Sequence, residues 1–247
     1  MHFIIWYFLV IVIYLIFSIL GPNYFVKVSS NIILLLNVLP FAFFSFQILK
    51  IRNLPYFILF TFLFVSSIIL TIANTFRVIY YFLYNEFPFE NPPYNIFWFA
   101  ALFLALFISI LFLNYFKRII FKSKIKNYSI LLSLIFVIFY IVLIYYFKEI
   151  LLKENLIIFI IYYGIGGAVL FLSFFMIIFF LKGKFAKYWI FTFLSIILAV
   201  FGRISFEIQY FSGNYYPGSY TSLFFALSYL SLSLGSYKIY YDFKGKQ

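Results

Sequence analysis

Apolar residues run along this chain in blocks of around twenty, separated by short stretches rich in Gly, Pro, Asn and Lys. Each block is long enough to cross a hydrocarbon core about 30 Å thick at about 1.5 Å rise per residue. The pattern predicts helices over 3 to 20, 31 to 48, 56 to 83, 95 to 116, 128 to 147, 156 to 181, 188 to 211 and 221 to 241. Breaker compositions punctuate them at Gly21-Pro22-Asn23, at Lys50 to Asn53, at the Pro-rich Phe87 to Tyr94 and at Ser212-Gly213-Asn214. The expected fold is therefore all-α, a polytopic helical membrane protein of about eight transmembrane helices. The first block lacks a basic flank and a small-residue cleavage site, so it reads as a retained helix and not a signal peptide.

Composition agrees with the pattern. Of 247 residues, 67% are hydrophobic and only 10% charged, whereas a soluble domain is about half apolar and about a quarter charged. The net charge of +12 invites a nucleic-acid reading, but the basic residues lie scattered over four loops and ends, which speaks for topology instead. Thirteen of the eighteen fall on one side, among them Lys50, Arg52, Lys117, Arg118, Lys182 and Lys244. That side is the expected cytoplasmic one, and it places both termini there. The same charges attract anionic membrane lipids.

Shifted by 126 positions, the chain falls upon itself: four predicted helices of residues 1–126 land on four of residues 127–247. Arg77 meets Arg203, Tyr84 meets Tyr210, Tyr94 meets Tyr220, and Phe99-Ala100 meets Phe225-Ala226. Each half has an even number of spans, so both enter the membrane the same way, giving two parallel four-helix repeats in one integrated membrane domain.

Arg77 and Arg203 are the most informative polar residues, because a basic side chain inside a span is costly unless it snorkels, pairs or lines a wet cavity. One expectation is that each guanidinium snorkels to lipid phosphate or caps the carbonyls of the adjoining loop. The sharper one is that both point into a single outward-facing cavity between the repeats and bind a carboxylate or phosphate there. Glu207 follows Arg203 by four residues on the same helical face and would partly neutralise it, while Tyr81 takes that place after Arg77. Tyr94 and Tyr220, at the ends of the aromatic outer loops, complete the candidate ligand-binding set. Those loops read either as lids or as an interfacial aromatic belt with Trp98, and Trp6 and Trp189 as its counterpart on the cytoplasmic face. Gly164, Gly166 and Gly167 read as a close helix approach, and the Ser228, Ser231, Ser233 and Ser236 row as interhelical hydrogen bonding.

Catalytic constellations are missing from the sequence. There is no cysteine, the one histidine is His2, and Asp242 is the one aspartate, so thiolate or histidine metal sites and a two-aspartate site find no residues. Neither a nucleophile elbow nor a phosphate-binding loop appears. No metal, cofactor or enzyme activity is expected.

The stretches Arg77 to Leu106 and Arg203 to Leu232 share an Arg, a proline-bearing aromatic loop, a Tyr and a Phe-Ala-Leu-rich span. In this they resemble the multi-pass membrane input domains of prokaryotic signalling proteins. The resemblance implies a sensor role, and since no output domain follows the last span here, a separate signalling or membrane-complex partner. The functional expectation is a non-enzymatic sensor, receptor or complex subunit that binds a small or lipid-like anionic ligand on its outer side. The alternative is a transporter or permease with its path between the halves.

Overall fold

The computed structural model describes residues 2–51, 56–84, 92–123, 125–151, 156–180 and 186–244, with side chains from positions 5, 96, 162 and 189 onward in the helices that begin at 2, 92, 156 and 186. Among the described residues the chain is all helical: α1 (His2–Leu20), α2 (Tyr24–Leu49), α3 (Phe57–Tyr84), α4 (Pro92–Lys122), α5 (Ile125–Tyr146), the single turn α6 (Lys148–Leu151), α7 (Leu156–Phe180), α8 (Ala186–Phe211) and α9 (Tyr220–Lys244). Six of them, α2, α3, α4, α5, α7 and α8, carry stretches long and apolar enough to cross a membrane. The protein is an integral, multi-pass helical membrane protein.

α1 and α9 depart from that rule for different reasons. The apolar stretch of α1, Ile5–Leu20, is shorter. α9 carries a row of serines because it is enclosed by protein and not by lipid: Ser228, Ser231, Ser233 and Ser236 are all buried. Their hydroxyls tie helices together. Ser228 donates to the Ser195 carbonyl on α8 at 3.0 Å, Ser233 donates to the Asn37 carbonyl on α2 at 2.8 Å, and Ser231 meets the Tyr7 hydroxyl of α1. In a bilayer such bonds hold helices where apolar contact has no water to escape.

α2 begins seven residues earlier than the hydropathy predicts, because Asn23 caps it: its side chain accepts from the Val26 N–H at 2.8 Å, satisfying one of the helix's first donors. α4 likewise runs on past its apolar block through Lys117 and Arg118 to Lys122.

Helix packing closes a ring. α2 packs on α3, α3 on α4, α4 on α7, α7 on α8, α8 on α9 and α9 back on α2. α1 lies outside against α9 and α2, and α5 lies outside against α7. The α5–α7 seam is made by small residues. A Cβ on Gly166 would lie 2.8 Å from the Tyr140 hydroxyl, and one on Gly167 would lie 3.3 Å from the Tyr140 ring. Only glycine lets Tyr140 lie across α7, as the Gly-Gly pair suggests. Apart from Tyr140, the buried face of α5 is Ser129 and Ser133, and the rest of it is exposed or half-exposed apolar surface.

Trp189 is a correction to the aromatic-belt reading. It is fully buried, with its ring stacked on Phe60 at 5.7 Å and tilted on Phe112 at 4.8 Å. Trp98 also turns inward, onto Phe225 at 5.2 Å. Trp189 fills the space between α8, α3 and α4, and Trp98 packs from α4 against α9.

Candidate functional site

Between the helices of the ring lies a partly open cavity of about 110 Å³, lined by all six of them and by Tyr140 reaching in from α5. About 10–15 Å³ on this scale holds one water, so the space is large, and most of its exposed wall is apolar. Leu63, Leu70, Leu102, Ile196 and Val200 make up much of its wall. Its serines spend their hydroxyls on the protein: Ser66 donates to the Phe62 carbonyl at 2.8 Å, and Ser195 pairs with Ser228 at 2.9 Å. From Thr192 to Arg203 the wall follows α8 for eleven residues, about 16 Å of helix. The cavity is thus long, apolar and capped by a single charged lining residue among those described, Arg203.

Glu207, Tyr162 and Phe206 are among the groups that hold Arg203. Its Nε pairs with Glu207 one turn on, and its guanidinium carbon lies 4.5 Å from the Tyr162 ring and 5.5 Å from the Phe206 ring. Glu207 is fully buried and accepts a hydrogen bond from the Tyr163 hydroxyl. Carboxylate and aromatic faces together make burial of the cation tolerable.

The described partners of Arg77 are Asn31 and Tyr215. Its Nε donates to Asn31 Oδ1 at 2.6 Å and its Nη2 to the Tyr215 hydroxyl at 3.0 Å. It is buried to 2% exposure, so it bridges α2, α3 and the 212–219 connection and does not snorkel. The residues lining the cavity include Arg203 and not Arg77: the two guanidiniums expected to share one cavity are engaged by different partners.

Of the other sequence candidates, Glu207 stands beside Arg203, and Tyr81 is buried one turn after Arg77, with its hydroxyl lacking a partner. Tyr220, at the start of α9, is 53% exposed and is not gathered with them. The side chain of Tyr94 and the loop 85–91 lie outside the described residues. The other outer loop packs down on the bundle. Gly218 sits at φ +106°, and a Cβ there would lie 2.5 Å from Val26 Cγ1. Ser219 donates to Gln209 Oε1 at 3.0 Å, fastening the loop to the end of α8.

Sequence reasoning missed Asn31, Tyr162, Tyr163, Tyr215 and Tyr140. One signal for Tyr140 was present: it lies 126 positions after Tyr14, the offset of the arginine pair, and both tyrosines are buried. The others become visible only once the helices are placed side by side. Compared with protein-family models, with curated proteins and with solved structures, the chain has no match in any of the three.

Proposed function

We propose that the protein is a non-enzymatic binding module, a receptor-like protein or complex subunit, that holds a slender amphiphile inside the ring with its anionic group at Arg203. The observation that carries this reading is the long apolar cavity with one guanidinium at its end. An alkyl chain gains about 0.8 kcal/mol per methylene wherever the alternative is water, and within the bilayer it is the natural occupant of an apolar space. Arg203 is the one charged residue among the described lining residues, and its positive charge would attract a carboxylate or phosphate to that end of the cavity.

The two-repeat reading is part of the proposal. Helix bounds support it, since α1, α2, α3 and α4 moved by 126 positions overlie α5, α7, α8 and α9. Packing supports it as well: the shift carries the α4–α7 contact onto the α9–α2 contact, so the ring is the same seen from either half. On this reading the cavity lies on the axis between the repeats. Both termini are read as cytoplasmic, and the basic residues at the ends of α4 and α9, Lys117, Arg118, Lys122 and Lys244, support that reading.

Native mass spectrometry of mildly solubilised protein tests the reading. Wild type is expected to retain a discrete lipid-like adduct that the neutral pair Arg203→Gln with Glu207→Gln loses and Arg77→Gln keeps. Identical, non-specific lipid patterns in all three forms overturn it. Flux of a small molecule in proteoliposomes would move the assignment to a permease.

A further inference from the structure

The two seams that close the ring are covered unequally. Over the α9–α2 seam lies α1, fastened on both sides: Trp6 donates to Asn37 Oδ1 on α2 at 2.9 Å, and Tyr7 donates to the Leu227 carbonyl on α9 at 3.0 Å. Over the α4–α7 seam, α5 packs on α7 and leaves a groove beside α4. The groove is floored by Gly164, Gly167 and Ala168 of α7 and walled by Leu106 and Ile110 of α4 and Ile141 of α5. Ile110, Ile141 and Gly164 are exposed, so the groove faces the hydrocarbon of the bilayer.

Tyr140 and Tyr163 line both the groove and the internal cavity. They form the partition between the two spaces, and a hydrogen bond joins them across it: the Tyr140 hydroxyl donates to the Tyr163 carbonyl at 3.0 Å. Tyr163 is in turn tied to Glu207, and through it to Arg203 at the end of the cavity. The partition therefore joins a lipid-facing groove on one side to the charged end of the cavity on the other.

We infer that this groove is a lateral portal through which the acyl chain of a bilayer lipid reaches the internal cavity, with Tyr140 and Tyr163 as its gate. The inference rests on the cavity being the binding site for an amphiphile. The occupant is set by the surroundings: the groove opens to lipid tails, its wall is apolar apart from the two tyrosines, and the space behind it is apolar up to Arg203. A ligand arriving from water would have no polar path through this face.

Two variants separate the portal from the site. Gly164 has open space around its missing Cβ and lines the groove but not the cavity, so Gly164→Leu puts bulk on the groove side. Tyr140→Phe removes the bond to Tyr163. In vesicles of phosphatidylethanolamine and phosphatidylglycerol doped with a phospholipid carrying an acyl-chain diazirine, photolabel is expected on cavity residues away from the groove, Ile196 and Leu232. Gly164→Leu should abolish that label, and Tyr140→Phe should make it accumulate several-fold faster. Cavity label with the same time course in both variants overturns the portal and leaves the binding site standing. Label on groove residues Ile141 and Leu172 but none in the cavity of wild type overturns the binding site, and the portal with it. Should Gly164→Leu fail to fold, an unchanged rate in Tyr140→Phe alone overturns the gate.

Discussion

Arg77 and Arg203, 126 positions apart in sequence, are joined in space by two aromatic rings. The Tyr215 hydroxyl accepts from Arg77 at 3.0 Å, the Tyr215 ring meets Phe206 edge-on at 4.6 Å, and Phe206 lies 5.5 Å from the guanidinium of Arg203. One arginine serves the loop that closes the end of the bundle, and the other serves the cavity.

That division predicts different responses to neutralisation. Arg203→Gln strips Glu207 of its counter-charge while leaving it buried, and breaking a buried pair from one side costs about 3–5 kcal/mol. The double substitution with Glu207→Gln leaves two neutral amides and should recover most of the loss. Thermal unfolding in detergent of wild type, both singles and the double closes the cycle. Additive losses would show that the pair contributes no coupling.

Among the described residues Arg77 is held by Asn31 and Tyr215, and the Asn31 bond is the shorter of the two. Asn31→Ala removes the acceptor 2.6 Å from Nε and should destabilise by about 1.5–3 kcal/mol, the scale for a hydrogen bond to a charged group. Tyr215→Phe should cost less, because Tyr215 is only half-buried and its ring contact with Phe206 survives. Equal losses in the two variants, measured by the same unfolding assay, would contradict this ordering.

Much of the fold was legible in hydropathy and little of the site was. Runs of Phe, Ile and Leu announce helices because a bilayer demands their length, and Lys50 or Lys122 marks an end because charge stays out of hydrocarbon. Asn23 was read as a breaker when it is a cap, since both uses need the same short polar side chain. Trp189 was read as interfacial because tryptophan is amphipathic, and only its neighbours Phe60 and Phe112 reveal it as core. Arg203 and Glu207 declared themselves by i, i+4 spacing. Tyr162 and Tyr163 did not, because their contact with α8 depends on which face of α7 turns inward, and an apolar run hides its own face.

The 212–219 connection gives a prediction about backbone. Gly213 and Gly218 both have positive φ, +74° and +106°, but a Cβ at Gly213 meets nothing within 4 Å and one at Gly218 meets Val26 at 2.5 Å. Gly213→Ala should cost about 1 kcal/mol for the left-handed conformation alone. Gly218→Ala adds a clash with α2 to its strain, and should cost about 2 kcal/mol more. Because the loop carries Tyr215, hydrogen exchange near α3's end should rise in the second variant and not in the first. Similar exchange in both would mean that the loop does not support Arg77.

The orientation across the membrane is open to a direct chemical test, because the chain has no cysteine and single thiols can be placed at will. Ser123 lies between α4 and α5, beside Lys122, at the end of the bundle where basic residues gather. Ser212 lies between α8 and α9 at the opposite end and is exposed. With cytoplasmic termini, a membrane-impermeant maleimide should label Ser212→Cys in intact cells and reach Ser123→Cys only after permeabilisation. The reverse pattern would put Arg203 nearer the cytoplasmic leaflet and turn the charged end of the cavity toward it. Basic residues then no longer act as the topology signal, and the anionic group recognised at Arg203 would have to come from the inner leaflet. Labelling of both sites in intact cells would instead mean that the chain does not cross the membrane between them an odd number of times, which the helix order α5, α7 and α8 requires.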